Sequence, residues 1–173
     1  MGKHKISISL SDTEIDRAIR ELADYRQYII DNTEILRKRV TEYLAEESKK
    51  GFYGASVDDI VQGGKRTAQV NISITNKNTV SVVIANGADA VWVEFGAGVY
   101  HNGASGSSPH PKGSELGFTI GGYGKGKGKR ETWGYYDNGN LVLTHGTPAS
   151  MPMARAVTTI CNDIVQIAKE VFV

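Results

Sequence analysis

The sequence predicts an α+β domain: a long N-terminal helix and a C-terminal helix packed on an antiparallel sheet of hairpins, with a long Gly-rich loop. Three observations support this class. First, apolar residues recur at helical spacing near both ends of the chain. Second, in the middle of the chain apolar and polar residues alternate on either side of turn sequences, as in hairpins. Third, strands and helices do not alternate along the chain as they do in a parallel sheet. The 173 residues suit one domain spanning residues 1–173.

The first elements are a strand-like segment and a long helix. Ile6, Ile8 and Leu10 alternate with polar residues, and Ser11 opens a capping-box pattern completed by Glu14. An apolar stripe of about 50 Å then follows at 1.5 Å per residue. This helix either lies across a sheet or partly serves contacts between subunits. The stripe recurs at seven-residue intervals at Ile15, Leu22, Ile29, Leu36 and Tyr43.

Two hairpins are predicted in the middle of the chain. Residues 51–66 are loop-like because glycines surround a short apolar patch. The next segment alternates on both sides of a polar turn at residues 76–78, which predicts a hairpin with one buried face. A second hairpin begins at Trp133 and turns at residues 137–140. The alternating apolar residues of the first hairpin are Ala68, Val70, Ile72, Ile74, Val80, Val82 and Ile84.

A Gly-rich segment and a last helix complete the chain. The segment from Gly96 to Arg130 holds eleven of the 20 glycines and is predicted to be a flexible insertion loop. Ser150 is the predicted N-cap of the last helix, and Pro152 lies in its first turn, where a missing amide hydrogen costs little. Helical spacing of apolar residues then continues to the end of the chain.

Composition excludes several classes of protein. The net charge of +1 predicts neither a global attraction to nucleic acid nor one to membranes. The single cysteine, Cys161, excludes an internal disulfide framework and a multi-thiolate metal site, and it favours a reducing compartment. Apolar runs are far shorter than the roughly 20 residues that span a bilayer. We therefore expect a soluble chain, made inside the cell, with no membrane partner.

The side chains that could carry chemistry do not form a recognisable catalytic pattern. His101 and His110 lie in the Gly-rich segment and are predicted to be solvated loop histidines, because no ligand spacing accompanies them. Cys161 has no identifiable activating neighbour. Glu94 stands in an apolar run, so it lies either on a wet face or buried against a cationic partner. The sequence predicts no enzyme, cofactor or metal site.

A basic stretch is the clearest candidate for a contact surface. It places four cations within six residues, beside a tyrosine that could stack on a base. Such a stretch suits a phosphate backbone or an acidic protein face, and the alternative is a solvated mobile loop. The residues of this basic loop are Tyr123, Lys125, Lys127, Lys129 and Arg130.

Two short motifs carry a family resemblance. Residues 93–98 read VEFGAG, and residues 146–156 read GTPASMPMARA. In this order and separation they resemble the tail-completion, or head-tail joining, family of tailed bacteriophages. Ala97 stands where that family usually has threonine, and Met151 and Met153 stand where it has bulkier residues. The family motif residues are Val93, Glu94, Phe95, Gly96, Gly98, Trp133, Gly146, Pro148, Ala149, Pro152 and Ala156.

The resemblance implies a structural virion protein at the neck of a phage or phage-like particle. It implies assembly into a homo-oligomeric ring that contacts tail-terminator, tail-tube and head-completion proteins. The implied location is the virion tail or neck, and the host cytoplasm during assembly. Glycines and prolines in the motifs fit a structural role, because they permit a chain reversal and fix the approach to the last helix. The alternative function is a DNA-binding accessory protein that uses the basic loop.

Overall fold

The computed structural model describes residue 9 and residues 11–59, 64–97, 108–118 and 132–172. The predicted α+β class is confirmed: helices at both ends of these ranges pack with antiparallel hairpins. The strand predicted at Ile6, Ile8 and Leu10 lies outside the described residues. Within the ranges, no helix combines the length and the apolar character that crossing a bilayer requires.

Two antiparallel helices form the frame of the fold. Helix α1 covers Asp12–Phe52, and the last helix covers Pro152–Val171. The Ser11 hydroxyl accepts the Glu14 amide hydrogen at 3.4 Å, which confirms the predicted N-cap of α1. The Tyr43 hydroxyl donates to Asp163 of the last helix at 2.8 Å. Burial and this hydrogen bond raise the pKa of Tyr43, with the hydrogen bond as the larger cause.

The N-terminal part of α1 extends beyond its partner helix. The last helix begins beside Gly51, where an added Cβ would lie 2.6 Å from that of Pro152, and it ends with Phe172 against Tyr28. Residues 12–27 therefore project past the end of the helix pair by about 24 Å at 1.5 Å per residue. Every residue from 19 to 28 is solvent-exposed, whereas Ala18 in the same segment is buried.

Three antiparallel hairpins supply the strands of the described chain. They form separate two-stranded ladders and not one continuous sheet. The first hairpin was not predicted, because only Val57 among its first four residues is both apolar and buried. The ladders are β1 Ser56–Asp59 with β2 Gly64–Thr67, β3 Asn71–Lys77 with β4 Val80–Asn86, and β5 Trp133–Asp137 with β6 Asn140–Thr144.

The register of the second hairpin corrects the prediction of its buried face. Ile72 pairs with Ala85 and Ile74 with Val83, and paired residues share a face of the sheet. This face packs toward α1, where Ile72 joins a core cluster with partly buried Val83 and Ala85 around it. The other face of β4 is solvent-exposed, contrary to the prediction, and carries Val80, Val82 and Ile84.

A short helix joins the second and third hairpins. Helix α2 covers Ala90–Phe95, where the sequence suggested only an amphipathic run, and the last helix is α3. Val93 of α2 is completely buried and belongs to the same core cluster as Phe52 and Val57. The core thus places α2 between the end of α1 and the first hairpin.

Candidate functional site

The two motif segments lie side by side in the fold. The Ala97 amide donates to the Thr147 carbonyl at 2.8 Å, and the Thr147 amide donates back to Ala97 at 3.1 Å. The Ser150 amide also donates to the Val93 carbonyl at 2.8 Å. These backbone bonds join segments about 50 residues apart in the sequence and make one structural junction of them.

Glu94 connects the two motifs through its side chain. The residue is 6% exposed, and its carboxylate accepts the amide hydrogens of Met153 at 2.8 Å and Ala154 at 2.9 Å. These are the second and third residues of α3, the positions whose amides a cap side chain normally satisfies. A negative charge also interacts favourably with the positive end of the helix dipole. Glu94 is therefore the cap of α3, supplied by another helix.

The predicted local cap of α3 is wrong. The N-cap position is Met151 and not Ser150, and Met151 adopts a left-handed conformation with φ 53° and makes no side-chain cap bond. Pro152 is the first helical residue, as predicted. Because the local chain offers no acceptor for the first amides, the helix depends on the Glu94 carboxylate.

His110 completes the hydrogen bonds of Glu94. Its Nε2 lies 2.9 Å from Glu94 Oε1, while its Nδ1 accepts the Lys112 amide hydrogen at 3.0 Å. This pattern assigns the hydrogen to Nε2, so the imidazole is neutral and donates to the carboxylate. The His110 side chain is 9% exposed. The interpretation of His110 as a solvated loop histidine is therefore wrong, and Glu94 is buried among amides and an imidazole and not against a cation.

Phe95 anchors part of the predicted loop. Its ring stacks on Phe118 with centroids 4.0 Å apart and contacts His110 at 4.2 Å. The Ser108 hydroxyl donates to the Phe95 carbonyl. Residues 108–118 of the Gly-rich segment are thus fixed on the first motif by ring stacking and hydrogen bonds, whereas His101 lies outside the described residues.

A second buried carboxylate holds the start of α2. Asp89 accepts two hydrogen bonds from Arg66, at 2.6 and 2.8 Å, and one from the Gln69 amide at 2.7 Å. The hydrogen bond to Asp89 is the main cause that raises the pKa of Arg66, and Tyr135 adds to it. The pair joins β2, α2 and the third hairpin, and no sequence motif indicated it.

We expect Arg66→Leu to destabilise the fold by about 2 kcal/mol, because Asp89 would keep one amide donor and no counter-charge. Urea unfolding would measure the loss. Adding Asp89→Asn should restore part of the stability, since the buried charge is then removed with its partner. Unchanged stability of Arg66→Leu would contradict a structural role for the pair.

The remaining motif residues have structural positions. Gly96 ends α2 with φ 79°, and its amide donates to the Trp92 carbonyl at 2.8 Å. Gly146 has φ 104°, and Ala156 is buried in α3. Pro148 and Ala149 form the approach to α3, and Trp133 begins β5. Gly98 lies outside the described residues, as does the whole basic loop of Tyr123, Lys125, Lys127, Lys129 and Arg130.

The described residues contain no arrangement that resembles a metal centre. Across residues 11–59, 64–97, 108–118 and 132–172, no group of three or more His, Cys, Asp or Glu side chains is placed to hold a metal ion. Glu94, Asp89 and His110 all have structural hydrogen-bond partners. The hydrogen bonds of this junction serve to hold the start of α3 against α2.

Comparison with known proteins gives no relative for this chain: no family model, curated protein or solved structure matches it.

Proposed function

We propose that this chain is a structural virion protein of a tailed phage or phage-like particle. It acts in tail completion, or head-tail joining, at the neck, by assembling into an oligomeric ring. The proposal rests on the resemblance of the two motifs and is supported by their geometry. Glu94 and the backbone bonds around it join the two motif segments into one structural junction.

The exposed apolar surface of α1 is the structural observation that supports the oligomeric assembly in this proposal. Ile19 and Leu22 lie on the projecting part of the helix and are 59% and 56% exposed. They continue the stripe that the body of the fold covers farther along the helix. A projecting helix with an apolar stripe has little stability of its own in water, because packing supplies most helical stability. A neighbouring subunit would cover the stripe.

The outward face of the second hairpin adds to this surface. Val80 and Val82 of β4 are exposed on the face that points away from α1. Unpaired strand edges and apolar faces of this kind favour association with another chain. In the proposed ring, the helix and the hairpin therefore contact neighbouring copies. Tail-terminator, tail-tube and head-completion proteins are the proposed partners above and below the ring, in the virion tail or neck.

Light scattering of the purified protein tests this function. We expect a discrete oligomer whose population grows with protein concentration and persists in high salt, because apolar contacts are weakly screened. Measurements with and without short duplex DNA also test the alternative function, DNA binding. A monomer that binds DNA only at low salt would instead support a DNA-binding accessory protein acting through the basic loop.

We expect Leu22→Glu to weaken self-association by roughly tenfold or more, because it places a charge in the proposed apolar contact. Folding stability should change by less than about 0.5 kcal/mol, since the site is exposed. Sedimentation velocity measures the association, and urea unfolding measures the stability.

Thr13→Glu is the matched control for Leu22→Glu. It adds the same charge on the opposite side of α1, because nine residues at 3.6 per turn correspond to about two and a half turns. We expect it to associate like the wild type. If Leu22→Glu self-associates as strongly as the wild type, this surface of α1 is not part of the interface.

A further inference from the structure

A small cavity lies where the first hairpin, α2 and the third hairpin meet the second motif. Its volume is about 90 Å³, enough for several water molecules. Most of its wall is carbon, with two aromatic side chains and two carboxylates among the lining groups. The lining residues are Val57, Asp58, Asp89, Trp92, Ala97, Tyr135, Thr144, Gly146 and Thr147.

One of the two carboxylates is fully engaged by the protein and the other is not. Asp89 is balanced by Arg66, as described above. Among the described residues, the contacts of Asp58 are made by its Oδ2 atom. This atom accepts the His145 amide hydrogen at 2.7 Å and lies 3.5 Å from the Thr144 hydroxyl and 3.1 Å from His145 Nδ1. Its Oδ1 atom accepts no hydrogen bond from the described part of the chain.

A buried hydroxyl that makes no hydrogen bond to the described part of the chain belongs to a residue lining the same cavity. Thr147 is 4% exposed, and its backbone groups pair with Ala97. Its side-chain hydroxyl makes no hydrogen bond to any described residue. Burying a hydroxyl without a partner costs free energy, so an unpaired group that lines a cavity points to a missing polar ligand. Asp58 and Thr147 therefore each bring to the cavity an oxygen atom that accepts no hydrogen bond from the described residues.

We infer that this cavity receives the guanidinium group of an arginine side chain from a neighbouring protein. A guanidinium donates hydrogen bonds and accepts none, which matches two free acceptors. It is also planar and weakly hydrated, which matches a cavity whose wall is mostly carbon. The source of the arginine rests on the proposed assembly function, whereas the receptor chemistry rests on the cavity alone.

Saturation-transfer NMR with ethylguanidinium tests the receptor directly, in the wild-type protein and in any oligomeric state. Ethylurea is the matched control, because it has nearly the same shape and no charge. We expect ethylguanidinium to bind with a dissociation constant on the order of millimolar, as suits a small fragment, and ethylurea to bind at least tenfold more weakly. Equal binding of the two probes, or no binding of ethylguanidinium, would overturn the inference.

Two isosteric variants assign the binding to the cavity. We expect Asp58→Asn to raise the dissociation constant of ethylguanidinium about tenfold or more, and Thr147→Val to raise it about threefold to tenfold. Glu115→Gln, on an exposed side chain away from the cavity, should bind like the wild type. If Asp58→Asn does not fold, the binding of ethylguanidinium to Thr147→Val alone tests whether the probe occupies the cavity. Wild-type binding by a folded variant of either residue would place the probe elsewhere.

Blocked and free arginine distinguish the source of the guanidinium. N-acetyl-arginine N-methylamide represents a side chain on a protein, and we expect it to bind as well as ethylguanidinium or better. Free arginine binding more than tenfold tighter than the blocked form would identify a small-molecule site and overturn the neighbouring-protein source. None of these binding measurements depends on assembly of the protein into a ring. They would therefore test the cavity even if the proposed ring were not found.

Discussion

Replacing Glu94 by alanine should destabilise the protein by roughly 3–5 kcal/mol, because it removes a buried carboxylate that accepts hydrogen bonds from three partly buried donors. Two of them are the amides of Met153 and Ala154 in the first turn of α3, and the third is His110 Nε2. The melting temperature should fall by roughly 10 °C for a domain of this size. Urea and thermal unfolding measure both quantities, and hydrogen exchange should show early opening of the first turn of α3.

Glu94→Gln separates the acceptor from the charge. The amide oxygen can still accept one of the helix amides, but its nitrogen faces another donor, so we expect an intermediate loss of about 2 kcal/mol. Glu115→Gln makes the same chemical change on an exposed side chain and should be nearly neutral. If Glu94→Ala were as stable as Glu115→Gln, the helix cap assigned to Glu94 would be wrong.

Gly87→Ala should be the most damaging substitution of a glycine in the described chain, with an expected loss of more than about 3 kcal/mol. An added Cβ would lie 2.0 Å from the Gln69 carbonyl oxygen and 3.1 Å from the Val70 Cα atom. Both are backbone atoms, so no side-chain rotation can relieve the clash. The φ of 140° adds strain for any residue with a side chain. Urea unfolding, or loss of folded protein on expression, measures the effect.

Gly139→Ala provides the control for backbone strain alone. Gly139 has a positive φ of 82° in the third hairpin turn, but an added Cβ meets no atom within 4 Å. We expect this variant to lose only about 1 kcal/mol, the cost of the left-handed conformation. The difference between the two variants measures the close approach at Gly87. Equal losses would show that the chain beside Gln69 can move aside.

Local patterns predicted the elements whose evidence is local. The seven-residue stripe and the Ser11 cap predicted α1, and Pro152 with helical spacing predicted α3. The Asn138-Gly139 turn predicted the third hairpin, where both residues indeed have positive φ. In each case the signal repeats over several turns or specifies a backbone conformation, so few alternatives compete with it.

The junction itself could not be predicted because its bonds join residues far apart in the chain. Glu94 and Met153 are 59 positions apart, and neither residue type specifies the other. Helix α2 has six residues, too few for a helical period to be distinguished from a strand-like run. One local signal was available: Met151 before Pro152 is a poor cap, which indicates that the acceptor for α3 comes from elsewhere.

The outward face of β4 shows a second reason why the sequence alone does not predict which residues are buried. Val80, Val82 and Ile84 have the alternation of a half-buried strand, but alternation does not say which neighbour covers the apolar side. The pairing of Ile72 with Ala85 assigns these three residues to the solvent side. The prediction that these three residues lie on the buried face of the hairpin is therefore wrong, although their alternation correctly indicated a strand.

Negative-stain electron microscopy of the concentrated wild-type protein tests the central claim, assembly into a ring, most directly. We expect closed rings of one size with a single rotational symmetry, because identical head-to-tail contacts form a ring when the rotation between copies divides a full turn without a rise along the axis. Single copies alone at concentrations up to about 1 mM would contradict it, since contacts that weak contribute less than roughly 4 kcal/mol. Open filaments without rings would show that the copies associate but do not form a closed ring.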